Sequence, residues 1–157
     1  MLLSKSKPIG GVESVALYPA DAAVTALFSS EGCEIELAGT PIEVPLLEDS
    51  SCYKEVSEMA HGVSRISHQL HLVAESNDAH EWLTDDFLEK AAFDGFIAVI
   101  SLCSGCRLLA GYSAPFGNEQ PLRLDSLTTT SGSNPRDIPS VTLRLISYDT
   151  AFSARIL

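Results

Sequence analysis

The sequence predicts a mainly β fold of the α+β kind: an antiparallel β-sandwich or partly closed β-barrel with one packed α-helix. Three observations carry that expectation. Apolar and polar residues alternate in Glu34-Ile35-Glu36-Leu37, in Ile66-Ser67-His68-Gln69-Leu70-His71-Leu72, in Leu122-Arg123-Leu124 and in Val141-Thr142-Leu143-Arg144-Leu145, which puts one face of each segment in a core. Only one stretch, about 79–93, has helical periodicity. The connections between the later β segments are short, which favours antiparallel pairing.

The chain of 157 residues is about one domain's worth, long enough to bury roughly two thirds of its unfolded surface. With 45% hydrophobic, 20% charged and 7% aromatic residues, its composition is that of a globular protein. No run reaches the about 18 apolar residues that span a bilayer. Lys5, Lys7 and Pro8 follow Met1-Leu2-Leu3 with no apolar segment behind them, so a secretory signal is not expected and the chain reads as made and kept in the cytoplasm.

Taken in order, residues 1–11 read as an arm, without periodicity and ending in Gly10-Gly11, ahead of a single β-rich domain over 12–157. Strands are expected at 12–18, 33–38 and 42–46. Pro19, Pro41 and Pro45 interrupt them and cannot donate ladder hydrogen bonds, so these segments suit edges or strand ends. Glu48-Asp49-Ser50-Ser51 is a polar connection, expected at the tip of a long hairpin running into 52–60. A strand over 63–74 precedes the helix, for which Asn77 or Asp78 is the expected N-cap and Gly95 the stop. On a wheel drawn through 79–93, Leu83, Phe87, Leu88 and Ala91 form an apolar stripe and Asp85, Asp86, Glu89 and Lys90 the opposite face. Trp82 falls on the charged side, where it meets a partner or is covered by a loop or arm of its own chain. Four β segments are then expected at 96–102, 107–113, 121–131 and 140–148, the last two joined by a long turn-rich loop. Leu127 and Ile146 each break the alternation of their strand, and both breaks read as bulges.

Residues that could do chemistry do not form a recognisable set. Cys103-Ser104-Gly105-Cys106 brings two thiols together at a hairpin turn, but a tetrahedral zinc site needs two further ligands and no second C-x-x-C or H-x3–5-H exists. His68 and His71 are an odd number of positions apart on one strand and point to opposite faces. No metal, cofactor or disulfide is expected. Nucleotide, hydrolase and metalloprotease motifs are missing. Cys52 with His61 or His71 and a helix carboxylate can be drawn as a nucleophile, base and orienter, as any chain with four Cys and four His permits. Arg136-Asp137 reads as a turn element or exposed ion pair.

Ten basic against 21 acidic residues leave a net charge of −11. Affinity for nucleic acid rests on Lys and Arg at phosphates, so specific DNA or RNA binding is disfavoured. The same sign would let a polyanion slide past, or serves only solubility.

The run Gly95-Phe96-Ile97-Ala98-Val99-Ile100, the turn Ser104-Gly105, then Gly111-Tyr112-Ser113, Pro121-Leu122-Arg123-Leu124, Thr130-Ser131-Gly132 and Tyr148-Asp149 together resemble small structural proteins of Bacteroidetes phages and prophages. The order of strands, one helix, then hairpins is similar to tail-tube and related tail or neck proteins of long-tailed phages. The likeness covers about residues 60–150 and is one of pattern. It implies a sandwich or barrel protomer that forms rings and stacks through arms and loops, first in the cytoplasm and then in the virion, with no catalytic residues. On this reading the protein is not an enzyme, and its partners are other copies of itself and other virion proteins. Assembly contacts are expected at Lys5 and Lys7 in the arm, at Glu48, Asp49, Ser50 and Ser51, and at Trp82. A β-rich binding module for a small molecule or peptide is the alternative.

Overall fold

The computed structural model describes residues 11–47 and 50–157, apart from the side chains of residues 24, 60, 63 and 78–80. Its strands are β1 (Val12–Pro19), β2 (Ala23–Phe28), β3 (Cys33–Leu37), β4 (Ile42–Glu43), β5 (Cys52–Ala60), β6 (Val63–Glu75), β7 (Phe96–Leu102), β8 (Arg107–Ala110), β9 (Arg123–Thr130), β10 (Ser140–Asp149) and β11 (Ala154–Arg155). Two helices, α1 (Ser76–Trp82) and α2 (Asp85–Phe93), lie between β6 and β7.

The strands form a five-stranded sheet in the order β11-β8-β7-β1-β4, a four-stranded sheet in the order β5-β6-β10-β9, and a two-stranded ribbon of β2 and β3. All their pairings are antiparallel. Val15, Leu17, Ala98, Ile100 and Leu108 of the five-stranded sheet meet Leu70, Leu72, Val141, Leu143 and Leu145 of the four-stranded one in a single core. The ribbon covers the other face of the five-stranded sheet, where Ile97 and Leu109 pack with Cys33, Phe28 and Ile35. The mainly β, sandwich-like fold expected from the sequence is what the chain adopts, and no barrel closes among the described residues. Apolar burial drives each contact: β7 is apolar at every position from Phe96 to Ile100 because both of its faces are covered, whereas β10 alternates because only one is.

Hairpin chemistry sets the register of the four-stranded sheet. Between β5 and β6 lies the two-residue turn His61-Gly62, with φ of 51° and 77°, the left-handed pair that matches the twist of flanking strands. On β9, Ser126 faces Arg144 and Leu124 faces Leu145, leaving Asp125 as the extra residue of a bulge; this is the break that Leu127 signals. The Ile146 break is not a bulge, since β10 pairs with β6 without interruption and Ile146 simply points to the outer face. In the loop after β9, Asp137 is a turn element: its carboxylate accepts from Ser133 N–H (2.7 Å) and Asn134 N–H (3.1 Å), bonds that hold its pKa below the usual carboxylate range.

Several expectations need correction. Glu48 to Ser51 is not the tip of a hairpin running into β5: β4 pairs with β1 and β5 with β6, so the flanking strands belong to different sheets. β8 and β9 likewise belong to different sheets, with 111–122 crossing between them. β2 and β11 were not expected; β2 lacks clean alternation, and β11 is two residues defined only by pairing with β8. The helical stretch is broken in two, and the cap of α2 is Thr84, whose Oγ1 accepts from Phe87 N–H (3.1 Å).

Candidate functional site

The break at Leu83-Thr84 overturns the placement of Trp82. A wheel drawn through 79–93 as one helix puts it among the charges, but it ends α1, is 9% exposed and packs edge-on against Phe87 at 5.2 Å within the core. Covering by its own chain is the outcome, so the argument that Trp82 points outward to a partner fails. Ser51 is buried too, and its Oγ accepts from Val73 N–H (3.0 Å), while Ser50 is exposed at a turn. Lys5, Lys7, Glu48 and Asp49 lie outside the described residues. Of the sequence-predicted contacts that are described, Ser50 alone is exposed.

Among the described residues, what the fold leaves open is the four-stranded sheet. Its edges are β5, nine residues long, and β9, eight. Along β9 nearly every side chain is exposed. The edges of the five-stranded sheet, β4 and β11, have two residues each. The outer face of the four-stranded sheet is polar and holds itself together. Arg65 lies 4.6 Å above the Tyr148 ring and pairs with Glu58 at 3.1 Å. Arg144 donates to Gln69 Oε1 (3.1 Å) and Gln69 to Ser67 Oγ (3.1 Å). On the same face Cys52, His71 and Arg144 are successive cross-strand partners. Burial, Arg144 and Lys54 hold the His71 pKa below the ordinary imidazole value. Among the described residues no hydrogen bond joins the Cys52 thiol to His71, and His61 sits at the distant hairpin turn.

The inner face of the same sheet carries a buried polar cluster. His68, in line with Leu70 and Leu72, is 4% exposed. Its Nδ1 lies 2.6 Å from Tyr53 Oη and its Nε2 2.9 Å from the Ala151 carbonyl oxygen. Tyr53 Oη is 3.0 Å from Glu55 Oε1, which also accepts from Ser153 N–H (3.1 Å) and from the Ser153 hydroxyl. Burial, and next the Glu55 charge, push the Tyr53 phenol far above its usual pKa, so it keeps its proton. Sequence reasoning weighed His68 only as a metal ligand. The overlooked signal is Tyr53-Lys54-Glu55 on a strand, which places a phenol and a carboxyl on the same face.

A groove of about 760 Å³ lies where β1 and β4 approach the end of α2, lined by Leu17, Ile42, Phe93, Lys90, Asp94 and Arg123. Phe93 is 73% exposed there, and Arg123 Nε donates to its carbonyl (3.1 Å). Cys103 and Cys106 flank the β7–β8 turn, and no group of three His, Cys, Asp or Glu able to hold a metal occurs among the described residues. Buried Cys33 has its thiol pKa pushed up by desolvation. No described helix is long and apolar enough to cross a membrane. No protein-family model matches the chain, and neither a curated protein nor a solved structure matches it.

Proposed function

We propose that the chain is a non-enzymatic structural protomer that assembles with copies of itself, a ring-forming, tail-tube-like component of a phage or prophage virion. The observation that carries this reading is the pair of long open edges, β5 and β9, on one sheet. Unpaired N–H and C=O groups along such edges are templates for strand addition. A second copy is the natural occupant for a reason of polarity. With four antiparallel strands, β5 and β9 run in opposite directions, so β9 of one copy set antiparallel to β5 of the next leaves both copies oriented alike. Such a contact is heterologous, and it closes into a ring when the rotation allows. The pairing also climbs across the sheet: β5 lies against 63–71 of β6, and β10 against 66–75. Stagger of this kind lets a sheet close with tilted strands. A net charge of −11 suits a wall past which DNA must move without being held.

The groove beside Phe93 favours a second reading, a binding module for a small molecule or peptide, because its size is that of ligand sites. Light scattering and negative-stain imaging separate the two. The wild-type chain should form rings or larger assemblies. A Thr128→Lys, Thr130→Lys variant, which charges the β9 edge without touching the core, should remain folded and fall to a monomer at the same concentration. A wild-type protein that stays monomeric at every accessible concentration would remove the assembly reading.

A further inference from the structure

After β10 the chain leaves the four-stranded sheet and crosses to the five-stranded one. There β11 pairs with β8, Ile156 N–H donates to the Arg107 carbonyl (2.9 Å) and Leu157 N–H to the Cys33 carbonyl (3.0 Å). Residues 150–157 are thus a strap across the layers, and its first turn is held by the cluster of Tyr53, Glu55 and His68. We propose that above the ordinary imidazole pKa closing this strap takes up one proton, shared by His68 and Glu55, so that the strap is a proton-linked latch that loosens as pH rises.

The inference comes from counting hydrogens. The Ala151 carbonyl can only accept, so His68 Nε2 carries a hydrogen. The contact between His68 Nδ1 and Tyr53 Oη needs one hydrogen, and that between Tyr53 Oη and Glu55 Oε1 needs another. The Tyr53 hydroxyl supplies one of the two. The second comes either from an imidazolium facing a carboxylate or from a neutral imidazole facing a protonated Glu55. In both forms every contact is a hydrogen bond and the cluster has no net charge. Without that proton a buried carboxylate and a phenol oxygen face each other with nothing between them, or the phenol turns to one partner and abandons the other, and one negative charge is left buried.

Among the described residues no cation on the neighbouring elements relieves that charge. β5 contributes Tyr53 and Glu55 to this face, and its Lys54 belongs to the opposite one. β10 contributes Asp149, whose Oδ1 already accepts from Thr150 N–H (2.6 Å) and Ala151 N–H (3.3 Å). The strap contributes Ser153, which gives Glu55 both its N–H and its hydroxyl hydrogen. Among the described residues no Lys or Arg contacts the cluster. When the strap opens, Glu55 and His68 regain water and the proton is no longer required. The closed form therefore binds the proton more tightly than the open one, and closure is favoured at lower pH and lost as pH rises.

Amide hydrogen exchange of the full chain, from about pH 5 to about pH 9 and corrected for the intrinsic pH dependence of exchange, tests this. Protection at Ser153, Ile156 and Leu157 is read relative to Ile100 in β7, which removes any global change in stability. The strap-to-β7 ratio should be level below about pH 6.5, where the open pair already carries the proton, and fall above it by up to about tenfold per unit. In the unaltered protein the Glu55 carboxyl or His68 ring signals should titrate with the same midpoint. In Glu55→Gln no negative charge is left buried when the cluster lacks the proton, so the fall should vanish. A flat ratio in the wild type overturns the proposal, as does a titration that leaves both the Glu55 and His68 signals unmoved, or an equal fall in Glu55→Gln. If that variant does not fold, the ratio and the signals of the wild-type protein decide alone.

Discussion

The two sheets of the sandwich are built from similar residues but solve opposite problems. The five-stranded sheet is covered on both faces, by the four-stranded sheet on one side and the β2–β3 ribbon on the other, and its edges end in two-residue strands. The four-stranded sheet has one buried face, a polar outer face, and edges of nine and eight residues. One is finished as a folding unit. Among the described residues the other leaves its edge backbone groups and a whole face uncovered, and on this asymmetry the assembly proposal rests.

The largest effects should show this difference in coverage directly. On β7, Ile97 and Ile100 are fully buried in different clusters. Ile97→Ala and Ile100→Ala should each cost about 2–5 kcal/mol, one for each face. On β10 only alternate positions should respond: Leu145→Ala should cost about 2–5 kcal/mol and its neighbour Ile146→Ala about 1 kcal/mol or less. Denaturant midpoints of the four variants measure this. An Ile97 variant as mild as that of Ile146 would mean that the ribbon does not seal the outer face.

The same contrast explains what was legible in the sequence. The alternating strands of the four-stranded sheet were readable because one face meets water, and their ends came within a residue or two. So was the bulge on β9. Which strands share a sheet was not legible, because Glu48 to Ser51 before β5 are polar, and 111–122 carries Gly111, Pro115, Gly117 and Pro121, as hairpin loops do. β2 was missed because Ala23, Thr25 and Ala26 give little contrast, and Leu27 is 70% exposed. Trp82 was misplaced by a single event, the cap at Thr84 that restarts the helix on a new phase. The Tyr53, Glu55, His68 and Ser153 cluster joins residues up to 98 positions apart, a pairing that no local pattern encodes.

Two glycines sharpen the comparison at the next level of effect. Gly111 begins the crossing out of the five-stranded sheet with φ of +84°, and a Cβ there would sit 2.5 Å from the Phe96 carbonyl oxygen and 3.1 Å from Leu122 N. Phe96 and Leu122 exchange two backbone hydrogen bonds at that point, of 2.8 and 2.9 Å. Gly62, at the β5–β6 hairpin tip, has φ of +77° with nothing within 4 Å of the same position. Gly62→Ala should therefore cost only the left-handed backbone penalty, about 1 kcal/mol. Gly111→Ala adds a backbone clash and should cost on the order of 3 kcal/mol. Thermal unfolding of the two variants gives the ratio directly, and equal costs would mean that the crossing yields as freely as the exposed turn.

The smallest effect belongs to the outer face of the four-stranded sheet, and its smallness matters for the assembly reading. Arg65 and Glu58 pair at 3.1 Å, but both side chains are 54% exposed. Solvent screening and side-chain entropy reduce such a pair to at most about 1 kcal/mol. Stacking of Arg65 on Tyr148 adds a further ~0.5 kcal/mol at an exposed site. A double-mutant cycle of Arg65→Ala and Glu58→Ala, read by urea unfolding of the monomer, should give a coupling below about 1 kcal/mol that shrinks further in added salt. If the same cycle measured on the assembled protein gave a clearly larger coupling, the outer face would be desolvated in the assembly, and the face as well as the edges would be part of the contact between copies. Equal couplings in monomer and assembly would leave the face in water and confine the contact to β5 and β9.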